Sequence, residues 1–79
     1  MNTELMNKVQ EVFRNVFQDP SLLIEPGYSA KDIRGWESLT HMTLIAELES
    51  RFGITFTFEE VSKFKTIGDM VQCISGKLN

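Results

Sequence analysis

Apolar side chains recur at spacings of three and four in three stretches of this chain, and the stretches between them are polar or broken by proline and glycine. Leu5, Val9, Val12, Phe13, Val16 and Phe17 form the first stripe. It predicts an amphipathic helix over Thr3–Gln18 with one buried face. Thr3 is its expected N-cap. Asp19-Pro20 is its stop, because the residue before a proline is pushed away from helical angles.

Residues 19–37 then form a long connection holding Pro20, Pro26, Gly27 and Gly35. Leu22, Leu23, Ile24, Tyr28, Ile33 and Trp36 punctuate it, so it is expected to be ordered and packed on the core. The second helix is predicted over Ser38–Phe52. Leu44, Ile45, Leu48 and Phe52 share one arc with His41, while Leu39, Met42 and Ala46 form a second apolar arc. That second arc either packs inward as well or is left for a partner. Gly53 ends the helix as a residue able to take positive φ.

The alternation Ile54-Thr55-Phe56-Thr57-Phe58 imitates a strand, but the chain offers no second strand to pair with it. Thr57 with Glu60 reads instead as a capping box for a short helix over Phe58–Phe64, with Ile54 and Phe56 as plugs that pin the loop. Thr66 with Asp69 caps a last helix whose stripe is Ile67, Met70, Val71, Ile74 and Leu78. The expected architecture is all-α, a four-helix bundle of three main helices plus a short third one. A long loop joins helices 1 and 2, and residues 1–79 form a single domain.

Composition narrows the chemistry. With 79 residues, 42% of them hydrophobic, the chain can bury one modest core. One cysteine (Cys73) and one histidine (His41) allow neither an intrachain disulfide nor a structural zinc site. The net charge is −3 and the eight basic residues are scattered, so a nucleic-acid partner is not expected. No apolar run approaches the about 20 residues that span a bilayer. Met1–Gln10 mixes acid, amide and base, unlike a secretory leader. A cytoplasmic monomer is the expectation.

Periodicity stops at a small helical bundle, which serves many functions. The segment Gly35-Trp36-Glu37-Ser38-Leu39, followed by Thr40-His41-Met42 and by Glu47-Leu48-Glu49-Ser50-Arg51-Phe52-Gly53-Ile54, resembles the acyl carrier protein family. That family's signature is Asp-Ser-Leu with a downstream Leu-Glu-x-x-Phe-Gly-Ile segment. The likeness extends over nearly the whole chain, through the closing Thr66-Ile67-Gly68-Asp69 turn. It implies a non-enzymatic carrier whose Ser38 takes a 4′-phosphopantetheine arm from coenzyme A through a phosphopantetheinyl transferase. Acyl intermediates then ride as thioesters to synthase, ligase or other acyl-transferring enzymes. Glu37 and Leu39 would flank the cofactor. Leu39, Met42, Ala46, Glu47, Glu59 and Glu60 would form the docking face, and no metal is implied.

Two departures bear on that reading. Glu37 stands where the family has Asp, one methylene longer beside the serine. The second helix carries neutral Thr40, Thr43 and Ser50 where housekeeping fatty-acid carriers are acidic, and Ala46 where a larger apolar residue is usual. Steering by charge from this face is therefore weak. A dedicated lipid or polyketide-type pathway is expected rather than general fatty-acid synthesis. The alternatives are an aminoacyl or peptidyl carrier, or an unmodified bundle that serves only as an interaction subunit.

His41, Cys73 and Trp36 carry further candidate roles. Ser38 and His41, one turn apart, permit a nucleophilic dyad in principle, but no group that would orient the imidazole is evident. A partly buried, packed histidine is the plainer role. Cys73 beside the last stripe reads as a small core residue. Trp36 is expected to anchor the loop ahead of Ser38. Phe13, Leu44, Ile45, Leu48, Phe52, Ile67 and Val71 are candidates to line an interior that shelters an acyl chain, or simply to pack together.

Overall fold

In the computed structural model, residues 3–79 are described and form helices α1 (Thr3–Val16), α2 (Ser38–Phe52), α3 (Phe58–Ser62) and α4 (Ile67–Leu78), with one 3₁₀ turn at Ala30–Asp32. Helix α1 packs on both α2 and α4. The interior is filled by Val9, Phe13, Leu44, Leu48, Ile67, Met70, Val71 and Ile74, all less than 2% exposed. Five of the seven candidate lining residues are among these or equally closed. Ile45 and Phe52 are only partly buried and pack at the core's edge. Leu78, at the end of the α4 stripe, is half exposed.

Helix α1 stops two residues earlier than predicted. Gln18 adopts φ 52°, and the Asp19 and Gln18 N–H groups donate back to the Arg14 and Asn15 carbonyls. This is a Schellman turn built on a left-handed residue, and it ends the helix before Pro20 acts. Thr3, expected as the cap, is itself the first helical residue described.

The long connection is tied down by polar bonds as well as by its apolar residues. Arg14 Nε donates to the Leu22 carbonyl at 2.7 Å, and the Ile24 N–H donates to Gln10 Oε1 at 2.9 Å. At the head of α4, the Ile67 and Gly68 N–H groups donate to the Tyr28 and Pro26 carbonyls. First-turn donors that have no intrahelical partner are thereby used to hold the loop. Gly68 allows this close approach, since a Cβ there would lie 3.1 Å from the Pro26 oxygen. Ile24, Ile33 and Trp36 are buried as expected, but Leu23 is 68% exposed. Side chains alternate along this extended stretch, so Leu23 points away while Leu22 and Ile24 point in.

Residues 54–57 are irregular, as the lone-strand argument required. The Ile54 N–H donates to the Glu49 carbonyl, and the Phe56 N–H donates to Glu49 Oε2 at 2.9 Å. One glutamate thus holds the turn after α2 and seats Phe56 in the core. Thr57 and Glu60 form the expected capping box, although α3 ends at Ser62 rather than Phe64. Thr66 and Asp69 cap α4.

Two measurements test these ends. Gly53 closes α2 at φ 63°, a region where a Cβ is strained, so Gly53→Ala lowers stability by about 1 kcal/mol. Gln18→Gly has the opposite sign and a smaller size. Urea melts check both as midpoint shifts at constant slope. Glu60 accepts from the Thr57 N–H and pairs with Lys77 at 2.9 Å. These bonds, the first above all, hold its carboxyl at about 2 against an ordinary 4.5. Its contribution is complete above pH 4.5 and is lost as the pH falls through about 2. The stability gap between the wild type and Glu60→Gln is therefore constant near neutrality and closes across that acid range.

Candidate functional site

The path of the chain into α2 is fixed before Ser38 is reached. Gly35 turns at φ 88°, and the Trp36 N–H donates to the Ile33 carbonyl at 3.3 Å. The indole then drops into the core. Its ring meets Phe13 edge-on at 5.4 Å between centroids and Phe17 at 6.0 Å. Glu37 follows in extended conformation as the N-cap residue. Its side chain sits in a capping-box arrangement with Thr40 but makes no capping bond of full hydrogen-bond geometry, in keeping with the weak capping ability of glutamate. Thr40 supplies the reciprocal half of the box. Its Oγ1 accepts from the Glu37 N–H and donates to the Gly35 carbonyl, both at 2.7 Å.

Ser38 is therefore the first residue of a well-anchored fifteen-residue helix. It is exposed, and its hydroxyl has no hydrogen-bond partner among the described residues. The His41 N–H is the first of α2 to bond to a turn carbonyl, that of Glu37 at 2.7 Å. Among the described residues the Ser38 and Leu39 N–H groups have no such partner. Together with the helix dipole they favour an anion at this spot. Beside the serine lies an open groove of about 380 Å³ lined by Ala30, Trp36, Glu37, Ser38 and His41.

His41 does not activate the serine. Trp36 Nε1–H donates to His41 Nδ1 at 3.0 Å. A catalytic dyad needs the opposite polarity, with an acceptor that orients Nδ1–H and leaves Nε2 free to take a proton. The imidazole is half-buried and packed, the plainer of the two roles foreseen for it. Cys73 does not line this groove and faces a different one, with Glu60, Phe64 and Asp69. Burial, then the nearby Glu60 carboxylate, push its thiol above the ordinary value, which makes it a poor nucleophile.

The second apolar arc of α2 faces solvent. Leu39 is 76% and Met42 70% exposed, and Ala46 and Glu47 are exposed beside them. The acidic residues expected at the short third helix are engaged within the chain. Glu59 pairs with Lys63 at 3.4 Å, and Glu60 is held by Thr57 and Lys77. Sequence reasoning missed Phe58, which is 90% exposed. As the residue next to the Thr57 cap, it lies off any buried stripe, and its place at the start of α3 was the available signal.

Comparison with known proteins agrees with this geometry. The family described as phosphopantetheine attachment site matches residues 35–74, just over half of the chain. The acyl carrier protein of Thermosynechococcus vestitus is 30% identical over 77 residues, 96% of this chain and 94% of its own length. That of Petrotoga mobilis is 33% identical, over 96% of this chain and 89% of its own. The solution NMR structure of a holo acyl carrier protein from Geobacter metallireducens superposes with a TM-score of 0.89 at 37% identity, covering 96% of this chain and 87% of that one. This chain accordingly belongs to the acyl carrier protein family, as a carrier that uses a 4′-phosphopantetheine prosthetic group and not as an enzyme.

Proposed function

We propose that Ser38 is the attachment point of the phosphopantetheine arm, and that the chain carries acyl thioesters for a dedicated lipid or polyketide-type pathway in the cytoplasm. The observation that supports the attachment best is the free, exposed Ser38 hydroxyl at the head of α2. The residues around it suit the group. Unpaired first-turn N–H groups receive a phosphate, the groove toward Ala30 gives the arm room, and the packed Trp36 keeps the helix start from shifting. When bound, the arm supplies the thiol that holds the acyl group. The protein's own part is to position, expose and present it.

Support for a dedicated pathway comes from the face around Ser38. Of the acidic residues on α2 and at its N-cap, Glu49 is turned to the Phe56 N–H, and Glu37 and Glu47 remain. Leu39 and Met42 are the large exposed apolar side chains within a turn of Ser38 on this helix. A face of this kind recognises enzymes by apolar contact more than by long-range charge. Partners are a phosphopantetheinyl transferase and acyl-transferring, synthase or ligase enzymes.

Incubation of the purified chain with coenzyme A and a broad-specificity transferase adds the mass of one phosphopantetheine group to the wild type and none to Ser38→Ala. An unmodified wild type, or a modified Ser38→Ala chain, would overturn the attachment. In the same assay Leu39→Ala/Met42→Ala raises KM several-fold, because apolar area of roughly 25 cal/mol per Å² is lost from the contact. Added salt changes KM little for the wild type. A steep salt dependence would show instead that charge dominates recognition.

A further inference from the structure

The hydrogen bond between Trp36 and His41 fixes which edge of the imidazole is available. Indole nitrogen only donates, so His41 Nδ1 must present its lone pair. In the neutral ring the proton then sits on Nε2. No acceptor for Nε2–H occurs among the described residues. The two rings lie within 21° of parallel, 6.1 Å between centroids, and Trp36 is itself locked by Phe13 and Phe17. The imidazole is thus held in both tautomer and place.

Ser38 and His41 stand three residues apart on α2. Side chains at this spacing share one face, with about 5–6 Å between their Cβ atoms. Both line the same groove. A phosphodiester on Ser38 Oγ carries its negative charge beside the Glu37 carboxylate, whose side chain makes no capping bond of full hydrogen-bond geometry. Such a juxtaposition of like charges calls for donors. The helix end offers backbone N–H groups, and His41, which lines the same groove as the serine, offers Nε2–H as a further donor.

We propose that His41 is a positioning residue for the prosthetic group, with Nε2–H donating to a non-bridging oxygen of the phosphodiester on Ser38. The contact lays the root of the arm along the Trp36–His41 side of the groove instead of leaving it free to radiate into solvent. Trp36 acts at one remove, by keeping the proton on Nε2. The inference rests on Ser38 as the attachment point. A purely structural histidine would satisfy Trp36 equally well, and its Nε2–H would be indifferent to modification.

The test uses the full chain in apo and holo forms, with the holo form first checked by intact mass and by the mass of its Ser38 peptide. A holo form that never appears, or a group found elsewhere, identifies failure of the attachment reading and overturns this one with it. With that established, long-range ¹H–¹⁵N spectra near neutral pH show the Nε2–H tautomer in both forms. The Nε2–H signal moves and exchanges more slowly in the holo chain. The ³¹P resonance shifts between wild type and His41→Phe, and His41→Gln, which keeps a donor, recovers part of that shift. Imidazole signals identical in apo and holo chains would overturn the proposal, as would a ³¹P resonance indifferent to His41→Phe. The apo–holo comparison needs no substitution, so it remains decisive if a variant fails to fold.

Discussion

The burial of one indole determines where the reactive end of this bundle lies. Trp36 is the last residue of a twenty-one-residue connection, 17–37, to reach the core, two positions before Ser38, and it rests on Phe13 and Phe17 near the end of α1. Truncating a buried aromatic of this size costs about 3–5 kcal/mol, against a total stability of roughly 5–15 kcal/mol for a domain. A shift of the helix start by one residue would expose the indole and carry Ser38 about 100° around the helix axis. Packing thus sets the direction in which a solvent-exposed hydroxyl points.

The loop ahead of it is ordered by the same economy of parts. Its carbonyls occupy N–H groups at the head of α4, and its Ile24 N–H is met by Gln10 on α1. Acidic residues elsewhere are similarly employed: Glu49 seats Phe56, Glu60 ties α3 to Lys77, and Glu11 pairs with Arg51. The exposed Glu11–Arg51 pair contributes about 0–1 kcal/mol. Ion pairing offsets the charge of Glu11 and Glu60 locally, and beyond about 8–10 Å in physiological salt the field of the remaining carboxylates is screened. The face around Ser38 is left to Leu39 and Met42.

Much of this was legible in the sequence where a single local rule governs the outcome. The bounds of α2, the Gly53 stop and both Thr-x-x-acid caps follow from side-chain chemistry within four residues. Ser38 could be singled out only by resemblance, since a serine at a helix start is also an ordinary residue there. What was not legible depended on direction or tertiary choice. Periodicity could not say whether Leu39 and Met42 face the core or solvent, because either fits the spacing. Leu23 and Leu22 look alike in composition and differ only by which way an extended backbone turns them. The early end of α1 required a glutamine to accept a left-handed conformation, which its residue type does not announce. The bond from Trp36 to His41 joins residues five apart across a helix start, and no propensity encodes it.

Fragmentation mass spectrometry of the protein purified from its native source addresses the central claim most directly. The account predicts one phosphopantetheine group, with or without an acyl load, on the fragment containing Ser38 and on no other. A chain found uniformly unmodified, or one bearing the group on a different side chain, would contradict it.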